Sequence, residues 1–346
     1  MIRPEEVSLN IYGRTIQISS QNKLILEEIR RDFSFFLSGE SKTPDFTIWA
    51  YLDSIPRKKF SPFYLLMKTR YFVCYEIGAV KHVYYSFDDY VRYDYKRNFA
   101  EVYSEDLSRL HELVYMVLRS KIGELMEEIG LYRIHALAFS YRKKGVLFIA
   151  PMRGGKTTLA LSLLKSFPIK LLSDEVPLLD SQCRLYSFPL RIGIWPGTSL
   201  PFSSGKHLNI RRFQNRKYGE KILIDIDFFK DKVEKNPIRL CCVFIGKRSK
   251  NGEEKCSIRK TNLFILLHVL IVNLILAIGV CQVKEYFIKR SLWDFRKKVS
   301  IVLARVYLCL KIIVNYTPFV VNLGSDSKNN AQTIMDFLRT FPHPKM

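Results

Sequence analysis

The chain has 346 residues, of which 48% are hydrophobic and 25% are charged, so it holds enough apolar material for one large or two ordinary domains. This composition excludes an intrinsically disordered chain. The formal net charge of +22 favours an acidic partner: a nucleotide, an acidic peptide, a nucleic acid or an anionic membrane. Charge alone does not choose among them.

The cysteines and the first residues both favour a cytoplasmic protein. Seven cysteines are present, and no two of them have the C-x-x-C spacing. This pattern predicts reduced thiols and neither a metal site nor a disulfide framework. The opening residues, MIRPEEVSLNIYGR, lack the apolar core of a signal peptide.

Residues 1–125 alternate strand-like and helix-like segments and predict a small α+β region. An amphipathic helix is expected at 23–37, and a longer helix at 107–129 that Gly130 ends. The predicted strands are rich in aromatic and β-branched residues and lie at 7–18 (a hairpin), 45–52, 71–77, 79–87 and 99–103.

Tyrosines in this region allow a second interpretation, an aromatic and basic surface for nucleic acid. The residues concerned are Tyr51, Tyr64, Tyr84, Tyr85, Tyr90, Tyr93 and Tyr95, with Lys58, Lys59 and Arg92. Strand aromatics more often belong to the core or to an ordinary surface, so nucleic acid is not the expected partner.

A strand at 145–149 leads into a sequence with the spacing of a phosphate-binding loop. Residues 150–157, APMRGGKT, follow G-x-x-x-x-G-K-[ST] with Ala150 in place of the first glycine. The two glycines let backbone amides turn toward a phosphate, and the following helix directs its positive end there. The predicted nucleotide contacts are therefore Arg153, Gly154, Gly155, Lys156, Thr157 and Thr158.

An acidic pair follows the next strand. A helix at 157–167 ends before Pro168, and a strand at 169–172 then delivers Asp174 and Glu175, the former only 18 positions after Lys156. If the two strands lie side by side in a parallel sheet, Asp174 faces the loop. Lys156 would then reach the β- and γ-phosphates of ATP, while Thr157 and Asp174 would hold Mg²⁺.

These segments resemble the kinase domain of HPr kinase/phosphorylase and of HPr-kinase-related proteins, some of which accompany peptide-modification gene clusters. The resemblance begins at Ile134-His135-Ala136, continues through APMRGGKTT and is most specific at LLSDEVPLL. A weaker likeness extends to about residue 340 and includes PFVVNLG at 318–324. Met152 and Arg153 depart from the small residues of that loop, Glu175 replaces a common Asp, and no segment resembles the one that recognises HPr.

The resemblance implies a P-loop fold of the HPr-kinase/phosphoenolpyruvate-carboxykinase type, a mixed sheet flanked by helices, over residues 126–340. It also implies an ATP- and Mg²⁺-dependent kinase that phosphorylates a serine-like hydroxyl of a peptide, protein or small molecule, and a homo-oligomer. Asp174 would position or deprotonate that hydroxyl, with Glu175 in reserve. His135, which by itself reads as a packed core residue, would orient Asp174 or the acceptor.

The rest of the chain offers further candidates. Arg191 either contacts phosphate or substrate or is a solvated arginine at a strand edge. The basic stretch 206–221 predicts a loop that is solvated or closes over an anionic substrate. The remaining predicted elements are strands at 221–229, 238–246 and 320–323 and a closing helix at 329–338.

Two alternatives stay open at this point. The uncharged segment 263–283 is long enough to span a bilayer, but His268, Asn273 and Gly279 interrupt it. A buried helix is therefore the expectation, and a membrane is not an expected partner. The altered loop also permits a catalytically inactive nucleotide-binding regulator or maturation partner instead of a kinase.

Overall fold

The computed structural model describes residues 5–39, 43–56, 59–85, 88–197, 210–215, 219–249, 255–278, 280 and 284–341. They form two compact units. The first holds the described residues of 1–126, 213–220 and 281–296, and the second holds those of 127–212, 221–280 and 297–346. Both units combine helices with a large mixed β-sheet, so the chain is an α/β protein.

The helices and strands are numbered in chain order over the described residues. The helices are α1 (Lys23–Asp32), α2 (Leu107–Glu128), α3 (Lys156–Ser166), α4 (Leu263–Leu270), α5 (Lys284–Phe287), α6 (Leu292–Asn315) and α7 (Ser327–Thr340). The strands up to residue 104 are β1 (Glu5–Ile11), β2 (Arg14–Ser20), β3 (Phe46–Leu52), β4 (Leu65–Lys68), β5 (Phe72–Ile77), β6 (Val80–Tyr85), β7 (Asp89–Asp94) and β8 (Phe99–Ser104).

The later strands run from β9 to β20. They are β9 (Tyr132–Arg133), β10 (Leu137–Tyr141), β11 (Lys144–Ile149), β12 (Lys170–Ser173), β13 (Leu178–Leu179), β14 (Arg184–Tyr186), β15 (Ile192–Ile194), β16 (Ile210–Asn215), β17 (Gly219–Ile224), β18 (Ile238–Arg248), β19 (Ser257–Lys260) and β20 (Pro318–Leu323). Most predicted elements are confirmed within a few residues. The elements that the sequence did not predict include β4, β7, β13, β16, β19 and α6.

The first unit is an eight-stranded sheet in the order β1-β2-β3-β8-β7-β6-β5-β4. Its middle strand β3 runs parallel to both β2 and β8. Helices α1 and α2 contact each other through the rings of Phe33 and Tyr115, whose centroids are 5.6 Å apart. Between the same helices, Asp32 Oδ2 and His111 Nε2 form a buried hydrogen bond of 2.7 Å.

The second unit is organised around three parallel strands, β11, β18 and β20. β11 and most of β18 are buried along their length, which is why their sequences are nearly continuous apolar runs. β10 forms a hairpin with β11, and β12 pairs with the outer edge of β10. The loop strand therefore lies at the centre of the sheet.

Helices cover both faces of this sheet. One face packs against α4 and α6 through fully buried side chains that include Leu147, Val243, Leu266, Leu270, Leu308 and Ile312. On the other face, the ring of Phe244 lies 5.5 Å from that of Phe337 in α7, and α3 packs beside α7. The unit thus has three layers, with the sheet between two helical layers.

Two predictions about the second half of the chain need correction. The basic stretch 206–221 is not a plain loop where it is described, because β16 and β17 occupy much of it and join β15 in a three-stranded sheet. Residues 206–209 and 216–218 lie outside the described residues. The uncharged segment 263–283 was expected to form a buried helix, but it starts with the short helix α4 and a π-helical turn, Ile271–Ile275, and Phe264 is 82% exposed. Residues 279 and 281–283 lie outside the described residues. Within the described part of the chain, no helix is long and apolar enough to cross a membrane.

A buried ionic cluster connects the end of α2 to α6 within the second unit. Glu127 accepts hydrogen bonds from Arg133 at 3.3 Å and from Arg305. Arg305 also donates to the carbonyl oxygens of Leu274 and Ile275, both at 3.1 Å. All three charged residues are buried. Removing one partner of such a cluster leaves an uncompensated charge in the interior.

We expect Glu127→Gln to lower the free energy of unfolding by about 3 to 5 kcal/mol, because two buried guanidinium groups lose their counter-charge. The matched control is Glu128→Gln at the next position, where the carboxylate pairs with the partly exposed Lys297 and its loss should cost below about 1 kcal/mol. Urea unfolding of both variants measures the difference. Equal effects would contradict a structural role for the Glu127 cluster.

Candidate functional site

The chain leaves β11 through a tight turn that ends at the first residue of α3. The amide of Gly154 donates to the carbonyl of Pro151 at 2.9 Å and closes this turn. Two residues adopt left-handed backbone conformations, Arg153 with φ +61° and Gly155 with φ +89°. Gly155 is the N-cap of α3, so the free amides of the first helical turn follow it directly.

The two glycines are required for different reasons. A Cβ at Gly154 would lie 2.8 Å from the carbonyl oxygen of Pro151, which is too close without a backbone shift. A Cβ at Gly155 would lie 3.1 Å from Leu323 Cδ1, and the positive φ at this position already disfavours other residues. Ala150 does not have a positive φ, so the backbone there does not demand the glycine of the motif.

Lys156 is the most unusual charged group of the loop. It is only 7% exposed, and its ammonium donates to the carbonyls of Ala150 at 2.7 Å and Pro151 at 3.1 Å. Burial lowers the pKa of Lys156 to about 8, against the opposing effect of the Glu175 and Asp174 carboxylates. The acidic pair therefore lies close enough to the predicted lysine to influence its pKa.

The strand order differs from the prediction. β12 was expected beside the loop strand, but β10 lies between β11 and β12. In the sheet register, Ala138 faces Leu147 of β11 on one side and Ser173 of β12 on the other. β10 is antiparallel to both neighbours, so β11 and β12 run in the same direction. The carboxyl ends of β11 and β12 consequently lie at the same end of the sheet, separated by β10.

The acidic pair follows the carboxyl end of β12, and its two carboxylates lie in different environments. Asp174 is buried, whereas Glu175 is exposed. The backbone of this segment is held by the Ser173 hydroxyl, which accepts from the Val176 amide at 3.0 Å. It is also held by the Ala136 amide, which donates to the Glu175 carbonyl at 3.0 Å.

His135 lies in a bend two residues before β10, whereas the sequence had predicted that it lies on the strand itself. Its side chain is buried, and its amide donates to the Asn273 carbonyl at 3.2 Å. The neighbouring residue Ala136 pairs with Glu175, so His135 and the acidic segment are adjacent in the fold. Of the two predicted threonines, Thr157 is half-buried and Thr158 is exposed.

Trp195 is a site residue that the sequence interpretation missed. The guanidinium of Arg153 lies 5.3 Å from the centre of its indole ring, and the ammonium of Lys221 lies at the same distance. Trp195 follows β15, and α3 contacts β15. Half-buried Arg191 precedes the same strand. No local pattern marks Trp195, because its relation to the loop depends on the small sheet.

Charge on the first unit is organised differently. A cavity of about 450 Å³ opens there, with Tyr90, Tyr103, Arg92 and Glu101 in its lining. Arg92 donates to Glu101 at 3.1 Å, so the two opposite charges of the cavity pair with each other. This arginine belonged to the proposed nucleic-acid surface, and its charge is balanced within the sheet.

The loop residues fit an anionic phosphate group. Gly154 brings no side chain into the turn, α3 begins with the free backbone amides of its first turn, and Lys156 supplies a buried positive charge. Thr157 and Asp174 offer the oxygen ligands that Mg²⁺ prefers. No protein-family model matches the sequence, and no curated protein matches it either.

We expect Gly154→Ala to destabilise the protein by about 1 to 3 kcal/mol, because its Cβ would collide with the Pro151 carbonyl. Gly193→Ala in β15 is the matched control. The nearest atoms to a Cβ there are 3.8 Å away, so its effect should stay within about 0.5 kcal/mol. Thermal or urea unfolding compares the two variants, and a neutral Gly154→Ala would refute the described turn geometry.

Proposed function

We propose that this protein is an ATP-dependent phosphotransferase of the HPr-kinase-like type. It would transfer the γ-phosphoryl group to a serine-like hydroxyl of a peptide, protein or small molecule. The observation that carries the proposal is the placement of buried Lys156, at the start of α3, within the electrostatic reach of Asp174 and Glu175. Phosphotransfer sites need this combination of a positive phosphate cradle and a nearby carboxylate.

The nucleotide phosphates would lie against the turn of residues 151–155. There the amides at the start of α3 and the positive end of the helix dipole favour anionic oxygens. Lys156 would leave the Ala150 and Pro151 carbonyls and bind the phosphate oxygens, with which it can form stronger, charge-assisted hydrogen bonds. Arg153 stands at the outer edge of this cradle, held over Trp195.

Mg²⁺ would be held by Thr157 and Asp174, and it supplies charge neutralisation at the phosphoryl group during transfer. In the reaction, the acceptor oxygen forms a bond to the γ-phosphorus while the bond from that phosphorus to the bridging oxygen of ADP breaks. Asp174 would position the acceptor hydroxyl and take up its proton. His135 would orient Asp174, and the exposed Glu175 would add negative charge toward the acceptor side.

The fold supports this proposal at a general level. The second unit has parallel strands at its centre and helices on both faces, which is compatible with an HPr-kinase/phosphoenolpyruvate-carboxykinase-like domain. Its acidic strand end follows the first helix directly, as the resemblance requires. Because the transition state of phosphoryl transfer is loose, correct positioning and charge neutralisation matter more than a strong base.

A second candidate function is a nucleotide-binding regulator without turnover. The observation that favours it is the engagement of Lys156 with the carbonyls of its own loop, together with the stacking of Arg153 on Trp195. Both cations of the loop thus already have partners within the protein. A regulator would bind nucleotide and change conformation, whereas a kinase would also turn it over.

Calorimetric titration of ATP with Mg²⁺ into the wild type tests the proposal. We expect Lys156→Ala to weaken binding about 10- to 100-fold through the loss of a charge-assisted hydrogen bond, and Lys165→Ala, an exposed lysine of the same helix, to have no effect. Asp174→Asn should abolish transfer of labelled phosphate and retain nucleotide binding. Absence of ATP binding by the wild type would overturn both candidate functions, and binding without transfer to any acceptor or to water would favour the regulator.

Binding should also depend on pH in the alkaline range. Lys156 has a pKa of about 8 in the free protein, so it is largely neutral at about pH 9. A bound phosphate favours the charged form and raises this pKa, so ATP binding should take up a proton there, and affinity should fall by up to about tenfold per pH unit above 8. Titrations in buffers of different ionisation enthalpy measure the uptake. Lys156→Met should show none, and an unchanged uptake in that variant would assign it to another group.

A further inference from the structure

The layer formed by α4 and α6 exposes an unusual amount of apolar surface on the second unit. Phe264 is 82% exposed and Val314 is 81% exposed. Other large apolar residues of the same layer are also exposed, namely Leu263, Leu276, Ile278, Val302, Leu303 and Leu310. Large apolar side chains that are exposed together on one layer mark an interaction surface.

These residues belong to the outer side of helices whose inner side is already used. Leu266, Leu270, Leu308 and Ile312 are fully buried against the sheet. Arg305 of α6 donates to the carbonyls at the end of the π-helical turn after α4, which joins the two helices side by side. α4 is apolar on both sides, and a helix of this kind is expected where a second apolar environment covers it.

Charge around this layer is predominantly positive. The two stretches 255–280 and 297–324 contain seven Lys and Arg residues and no Asp or Glu. Arg305 and Lys297 pair with Glu127 and Glu128, and Lys260 lies beside Phe319 on the α7 side of the sheet. Arg259 is exposed and lies beside Val320, which packs against the α4 and α6 core. A surface that combines exposed Leu and Phe with an excess of basic residues is complementary to anionic lipid.

The same charges argue against a second copy of the chain as the occupant. Two copies would bring surfaces with an excess of basic residues together, and like charges at an interface disfavour association. The exposed residues also do not form a span, because no helix in the described ranges is long and apolar enough to cross a bilayer. A position in the plane of the membrane interface satisfies both conditions.

We propose that the outer face of α4 and α6 docks on the surface of an anionic membrane. Phe264, Leu303, Leu310 and Val314 would enter the boundary between headgroups and acyl chains. Arg259, which lies beside Val320 on the α4 and α6 side of the sheet, would contact the lipid phosphates. Because of the interruptions in 263–283, the sequence did not lead us to expect a membrane partner. A helix that lies in the plane of the membrane interface, however, does not need an uninterrupted apolar span.

Vesicle sedimentation with the full-length protein tests this docking. Vesicles of phosphatidylcholine alone are compared with vesicles that also contain phosphatidylglycerol, and binding is expected only to the latter. The double variant Phe264→Ser/Leu310→Ser should bind them at least about tenfold more weakly. Its matched control is Phe63→Ser, which removes a side chain that is 79% exposed in the first unit and should bind like the wild type.

A second pair of variants separates lipid charge from general stickiness. Arg259→Glu should weaken binding to the anionic vesicles about fivefold or more, while Lys165→Glu on α3 should not. Circular dichroism confirms that the variants are folded, since they change exposed residues only. No binding of the wild type to anionic vesicles would overturn the proposal. So would a dimer, in sedimentation velocity, that Phe264→Ser/Leu310→Ser dissociates.

Discussion

The parallel pairing of β11 with β18 is the constraint on which the candidate site depends. β11 has a hydrogen-bonded strand on each side and helices on both faces, so its position in the sheet is fixed. The chain must then reverse between Pro151 and Gly154, and a Cβ at Gly154 would collide with the Pro151 carbonyl. α3 consequently begins at the end of the sheet where β11 and β12 terminate, and the free amides of its first turn lie there. A catalytic or regulatory loop gains its precision from such a rigid support.

Lys156 shows how the fold turns an ordinary side chain into a responsive one. Burial disfavours its charge, while Asp174 and Glu175 favour it, and the balance leaves its pKa at about 8. A solvated lysine would stay charged whatever lay beside it. Because the charged and neutral forms of Lys156 are close in free energy near pH 8, an anion bound in the loop would favour the charged ammonium. The same environment would thus serve a kinase and a regulator, which differ in what Asp174 does to the acceptor.

The central sheet also connects the two proposals. Its one face supports α3 and the loop, and its other face supports α4 and α6, whose inner residues complete the core. Large apolar residues on the outer side of α4 and α6 are then left exposed, and the stretches that carry them contain more basic than acidic residues. If this layer rests on an anionic membrane, a phosphotransfer site on the same domain would work near that surface. Buried Arg305, tied to Glu127 and to the turn after α4, holds the layer in place.

The sequence by itself determined the features whose parts are adjacent in the chain. The strand, turn and helix from Lys144 to Ser166 follow from an apolar run, two glycines and a lysine in immediate succession, and the hairpins follow from their turns. β7 was missed because its polar and apolar residues show no clear period. α6 was missed because apolar residues such as Leu303, Leu310 and Val314 occupy its exposed side as well as its buried side. Only the tertiary structure decided that β10 separates β11 from β12, that Trp195 lies under Arg153, and that Arg305 pairs with Glu127. The physical reason is that these contacts join distant segments, and their partners are selected by packing and charge in the folded protein, which no local pattern records.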